Sequence, residues 1–398
     1  MAVQTTLAGA DTYVLQEALS AYSDEAYTNA KKLSGTGIVG GNAQIDTSTE
    51  TFIGQVRWNK PFDATINVAS LTNAADGSYN SYETDYLRYI KTVRTYGAKK
   101  VNMQEVVTQV DGLAKIGRDF GEHQAQDEHD AILSVLKGVA MSEALNGAAA
   151  ASGQAGLGGQ TFENDPTDKR YGFYVDMGAN AIVTAATTSS QGAARAESFL
   201  QAFGKAFKDY EPEYAYLIVS PEVYASLRSA NLVDQDRVRD GSIEFNTIFQ
   251  GKFRLIQTRA TQSFSSAELN ALNAGAGVDI AGTKTSFIVR PGAIEMASLN
   301  VPMPTEIERK ASSYLGGGET QIWRRWGYVL HAGGYDWSGN QEAFPTNASY
   351  TGVVRSASNF EDVATAQATD TTLANTVGTW TRKTASALSL GILPVFHA

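Results

Sequence analysis

The chain has 398 residues, with 32 Lys and Arg against 42 Asp and Glu for a formal net charge of -10, four histidines and no cysteine. Disulfide frameworks, cysteine nucleophiles and thiolate metal sites are excluded outright, and the acidic balance is the opposite of one suited to gripping nucleic acid. At 43% hydrophobic and 19% charged residues the composition is globular, with length enough for two or three compact units.

Residues 1–48 carry little core material. Val14, Leu15, Leu19, Tyr22 and Tyr27 allow a helical patch between Thr12 and Lys32, and the run Gly35-Thr36-Gly37-Ile38-Val39-Gly40-Gly41 then interrupts regular structure. The segment is expected to be an arm that docks on another surface. Its start lacks a basic stretch followed by an apolar one, so no secretory signal is read there. No apolar run approaches the roughly 18 residues of a membrane helix, so a soluble chain made in a cytoplasm is expected.

Residues 49–98 read as β. Thr51 to Trp58 is rich in strand formers, Asn73 to Ser78 is a turn cluster, and Tyr82 to Tyr96 is crowded with Tyr, Thr, Ile and Val. The pair forms a long hairpin-like excursion with no partner sheet nearby in sequence. An isolated two-stranded ribbon is marginal in water, so it needs another surface. Residues 106–146 carry Val107, Val110, Leu113, Ile116, Phe120, Ile132, Leu136, Val139 and Leu145 at helical spacing, which predicts one long helix or two end to end.

The stretch 147–160, with ten Gly or Ala in fourteen residues, reads as a connector. Residues 170–300 alternate helix and strand signals. Phe199, Leu200, Phe203, Phe207 and Tyr210 share a helical face, Tyr214 to Val219 is a strand, and Ser220-Pro221-Glu222 is a capped helix start. Further strands are expected at Lys252 to Gln257 and Thr285 to Val289. The strongest strand signal is Glu319 to Leu330, whose alternation sets Ile322, Arg324, Trp326, Tyr328 and Leu330 on one face and Trp323, Arg325 and Val329 on the other. The tail from Ser338 is polar until Leu388 to Phe396, which begins as an edge strand or docking segment would.

Motifs for chemistry are weak. Gly35 to Gly40 matches GxGxxG, but a helical stretch precedes it and a polar β stretch follows, so it is read as a turn and not as a dinucleotide site. His123, Asp127 and Asp130 share a helix face without the spacing of a zinc motif, and a solvated face is the expectation. Asp119, Glu122, Asp127, Glu128 and Asp130 form an acidic run, unbroken by Lys or Arg, that would repel a phosphate backbone. Trp323-Arg324-Arg325-Trp326 is read as core strand or subunit contact in preference to a base-stacking patch. No nucleophile elbow or phosphate loop occurs. The chain is not expected to be an enzyme, and no cofactor or metal is implied.

The order of elements is more specific than any motif. An arm, a β excursion, a long helix, a Gly/Ala connector, an α/β block and a closing β segment together resemble the major capsid protein of tailed bacteriophages, the Hong Kong ninety-seven fold. Tyr214 to Leu227, Phe287 to Met296 and Glu319 to Leu330 carry the resemblance best. It implies an α+β chain with an N-terminal arm at 1–48, an extended loop at 49–98, a peripheral domain with the spine helix at 99–169, an axial domain at 170–300, a peripheral β segment at 301–337 and a C-terminal tail at 338–398. It also implies self-assembly into pentamers and hexamers of an icosahedral shell that encloses viral DNA without specific binding. Partners would be the portal and scaffolding or decoration proteins, and the location would be the virion, assembled in the host cytoplasm. Phe52, Trp58, Tyr89, Trp323 and Arg325 are the expected inter-subunit contacts. Lys60, Lys91, Lys99 and Lys100 lie in or beside the loop, yet no covalent crosslink is expected. The competing readings are an α/β enzyme built on 170–300, with a carboxylate or His331 as catalyst, and a virion decoration or tail protein that binds a partner. The acidic run around Asp127 is expected to line the DNA side of a shell.

Overall fold

The computed structural model describes residues 2–31, 33–41, 45–48, 53–59, 84–101, 112–151, 174–176, 203, 212–229, 231–240, 243–258, 284–310, 318–338, 379–382 and 390–397. The turn cluster at 73–78, most of the Gly/Ala connector, most of the helical face around Phe203 and most of the polar part of the tail lie outside the described residues.

The architecture is α+β, as expected. Helix α1 (Ala2–Ala30) leads through a short 3-10 turn (Leu33–Gly35) to β1 (Val39–Gly40). Strands β2 (Ile53–Asn59) and β3 (Thr84–Val101) form the excursion, and α2 (Gly112–Ala151) is a continuous helix of 40 residues. That helix runs five residues into the expected connector, because Ala148 to Ala151 are the strongest helix formers available. At about 1.5 Å per residue it spans about 60 Å.

The strands form two main sheets. The six-stranded sheet has the order β1-β10-β12-β3-β2, with β10 (Ile294–Ser298), β12 (Glu319–Ala332) and β11 (Thr305–Lys310) drawn from late in the chain. Strand β12 is its axis. Along one edge it pairs antiparallel with β3 from Glu319↔Val101 to Leu330↔Ile90; along the other, β11 and β10 share its length in tandem. The excursion thus finds a partner in its own chain, although only in the residue 90–101 half of β3.

The seven-stranded sheet has the order β4-β15-β9-β5-β8-β7-β6. Its members are β4 (Val175–Asp176), β5 (Ala215–Val219), β6 (Val233–Asp240), β7 (Ile243–Ile248), β8 (Phe253–Gln257), β9 (Lys284–Val289) and β15 (Ile392–His397). Every residue of β5 is buried, which explains why its sequence is a continuous apolar run instead of an alternating one. Ser220 caps the following helix α3 (Pro221–Ser229), accepting from Val223 N at 3.4 Å. Leu232 N and Asn231 N close its end on the carbonyls of Leu227 and Arg228, and Asn231 takes the left-handed conformation (φ 55°) that this closure needs.

Two expectations are corrected. Residues 294–298, placed in the axial block by sequence, pair with β12 in the six-stranded sheet, because their hydrogen-bonding edge faces Tyr328 to Ala332. The C-terminal segment is an inner strand of the seven-stranded sheet, fully buried between β4 and β9, and not an edge. The remaining pair, β13 (Tyr335–Ser338) and β14 (Thr379–Arg382), lies beside β3. One continuous core joins Ala131 to Ala140 of α2 with both sheets and this pair. No described helix is long and apolar enough to cross a membrane.

Candidate functional site

The features that stand out among the described residues are surfaces and joints between elements. Among the described residues no group of three or more His, Asp or Glu is placed to hold a metal ion. The glycine run at 35–41 is a joint between arm and core. Gly37 O and Ile38 O accept from Gly292 N and Ile294 N, Gly37 N donates to Tyr216 Oη at 3.1 Å, and a Cβ on Gly40 would press on the Gly292 backbone.

The excursion is anchored at its base by a strap, residues 45–48. Lys91 Nζ is buried and donates to Asp46 Oδ2 and Ser48 O, each at 2.7 Å, and Asp46 N donates to Tyr89 Oη at 2.8 Å. Asn300 N donates to Thr47 O at 3.0 Å and closes the strap from the other side. The Lys91 hydrogen bond holds the Asp46 carboxyl well below the usual carboxylate range.

Of the expected contact residues, Phe52 lies outside the described residues and Trp58 stands on β2 opposite Asp85 in register. Tyr89 is a correction: it is 0% exposed, its hydroxyl is used by the strap, and its ring crosses Gly54 of β2, so it has no surface left for a neighbour. Trp323 is 39% exposed and lies over Gly97 of β3. Arg325 is partly covered, donating to Glu306 Oε2 at 2.6 Å and Met303 O at 3.2 Å. Both aromatics rest on a glycine opposite them, a pairing that appears only once the strand register is known.

The acidic run does not form one solvated face. Asp127 accepts from Tyr328 Oη at 2.8 Å, Trp326 Nε1 at 3.3 Å and Arg94 Nε at 3.4 Å, which ties α2 to the six-stranded sheet. Glu128 is buried and accepts Tyr27 Oη on both oxygens, at 2.8 and 2.6 Å. Burial raises the pKa of both groups, with the Glu128 charge adding to the rise at Tyr27. Asp119 and Glu122 are exposed. The expectation that the Asp127 region lines a DNA-facing wall therefore fails for Asp127 and Glu128, which point into their own chain.

His331, the candidate catalyst of the enzyme reading, is buried at 1% exposure. His397 is also fully buried, with Nε2 at 2.9 Å from Ser286 Oγ.

No family model and no curated protein matches the chain. Its fold is similar to several solved phage structures. The Helicobacter pylori bacteriophage KHP30 acidic stable capsid structure aligns at 7% identity and a TM-score of 0.46, covering 92% of this chain and 91% of that one. The cyanophage Pam1 capsid asymmetric unit aligns at 13% identity and a TM-score of 0.43, covering 77% and 87%. The capsid of Ralstonia phage GP4 aligns at 12% identity and a TM-score of 0.40, covering 74% and 82%. These likenesses concern the course of the chain alone.

Proposed function

We propose that the chain is the major capsid protein of a tailed bacteriophage, which self-assembles through pentamers and hexamers into an icosahedral shell around viral DNA. The observation that supports this most is the far half of the excursion. Among the described strands, residues 84–89 of β3 are laddered only to β2, with Arg88 N also donating to Asp336, while β12 reaches β3 only from Ile90 onward. This two-stranded ribbon exposes Arg57 and Tyr86, which face each other in register, and Tyr86 is 56% exposed. A ribbon of this kind is marginal in water and gains stability when a neighbouring copy covers it. Stable non-covalent shells need obligate interfaces, commonly above about 2,000 Å². Without cysteine, cohesion must come from area and symmetric repetition.

Purified protein should give closed particles of uniform diameter in electron micrographs, with light scattering far above the monomer mass. A strictly monomeric chain under every assembly condition would overturn the reading. In a virion the chain should be present in hundreds of copies, while a tail or decoration role predicts a different stoichiometry. Portal and scaffolding partners belong to the same proposal and would be recovered with particles isolated during assembly.

A further inference from the structure

His331 sits near the end of β12 with neither ring nitrogen hydrogen-bonded. A neutral imidazole carries one donor and one acceptor, and buried polar atoms of this kind ordinarily find partners. Around it three elements meet. Trp380 of β14 lies against the ring at a centroid distance of 6.0 Å, and Trp337 of β13 packs edge-on against Trp380 at 4.9 Å. Asp336, next to Trp337, accepts Arg88 N at 2.7 Å and Arg88 Nη2 at 3.2 Å, and so fastens the β13–β14 pair to β3 where the ribbon begins.

Among the described residues, two charged groups stand near the ring. Asp336 on β13 is one, already engaged by Arg88 of β3, and Glu295 stands opposite His331 in the register with β10. Burial holds the imidazole neutral and pushes its pKa down to about 4, with Asp336 pulling weakly the other way.

We propose that His331 makes the seam between the β13–β14 pair and the base of the ribbon sensitive to acid, because the closed seam admits only the neutral ring while an opened seam lets water reach the ring and protonate it. The folded value lies below the ordinary one, so the closed seam is favoured fully above the ordinary histidine range. It weakens progressively as pH falls toward about 4. Opening frees Asp336 from Arg88 and loosens the ribbon's footing on the six-stranded sheet. The proposal concerns the single chain and does not rest on the shell reading.

Hydrogen exchange of the full chain, corrected for the intrinsic effect of pH on exchange, should show protection at 335–338 and 379–382 falling by about tenfold or more between pH 7 and pH 4. His331→Leu and His331→Phe should flatten that dependence while leaving other regions as they are. Residue-resolved exchange of the histidine C2 hydrogen on the unaltered protein should place His331 far below the ordinary value. Variants that keep the full pH dependence would overturn the proposal. So would an unaltered His331 that titrates at the ordinary value, and this second measurement decides the matter if neither variant folds.

Discussion

Lys91 and His331 show two ways of placing an ionisable group inside one chain. Lys91 Nζ is held by Asp46 and the Ser48 carbonyl, whereas His331 is kept neutral by burial, with neither ring nitrogen hydrogen-bonded. Lys91 is buried but Asp46 is 57% exposed, so losing the carboxylate weakens the hold on a buried ammonium, whereas replacing that buried ammonium with apolar bulk is often neutral or better. Asp46→Ala should therefore lower the urea midpoint, Lys91→Met should leave it unchanged or raise it, and the double variant should resemble Lys91→Met. A double variant as unstable as Asp46→Ala would show that the ion pair is not what the strap supplies. The acid response has a sign. The depressed Asp46 contributes stability above the ordinary carboxylate range, and this is lost only as pH falls through its lower folded value. The His331 contribution goes earlier, between the ordinary histidine range and about 4. Falling pH should thus release the β13–β14 seam before the strap, which peptide-resolved exchange over 45–48 and 335–338 would order directly.

Helix α1 is held by its docking on α2 more than by its own sequence: it has no acid in its first turn and no base in its last. Gly117 and Gly121 of α2 let it approach; a Cβ on Gly121 would meet Ser23 O and Tyr27 N. Backbone atoms cannot give way as a side chain can, so Gly121→Val should cost about 1–3 kcal/mol and expose α1 to limited proteolysis while both sheets survive. An α1 as protected as before would contradict this packing. Asp127→Ala removes the acceptor shared by Tyr328 Oη and Trp326 Nε1, and should cost about 1–3 kcal/mol in a denaturant melt. At this scale the sequence was readable wherever a pattern was local. The β12 alternation put Ile322, Arg324, Trp326, Tyr328 and Leu330 on one face; the four apolar ones are buried, and Arg324 is partly covered while it donates to Thr305 and Asp24. The Ser220 cap and the long helix were equally visible. The acidic run misled because Asp127 and Glu128 look solvated until the partners on β12 and α1 are known, and those stand 201 and 101 residues away in the chain. Tyr89 misled similarly: an aromatic on a ribbon reads as a contact until Gly54 and the strap are found beneath it.

The whole molecule is interleaved, and local patterns cannot show that. Strand β12 gathers β3 from early in the chain and β10 and β11 from late, while β15, almost at the C-terminus, completes a sheet begun near residue 175. Two pieces nevertheless differ in how much they need a neighbour. Strand β15 is buried along its length, so removing residues 390–398 should unfold the seven-stranded sheet outright. On the ribbon, Arg57 and Tyr86 are exposed, while their neighbours Val56 and Leu87 are buried. Replacing the two exposed side chains with Arg57→Thr and Tyr86→Thr, which keeps strand-forming residues and introduces no like-charge pair, should therefore move the melting of the isolated chain by only about 0.5 kcal/mol per site. If the ribbon is where one copy is covered by another, the same pair should abolish particles in electron micrographs and leave monomers or small oligomers. A change in the melt with particles retained would place the ribbon's role inside the chain and not between copies. The two readouts separate folding from assembly because the exposed face can be altered without touching Tyr89, Lys91 or the strap that fixes the ribbon's base.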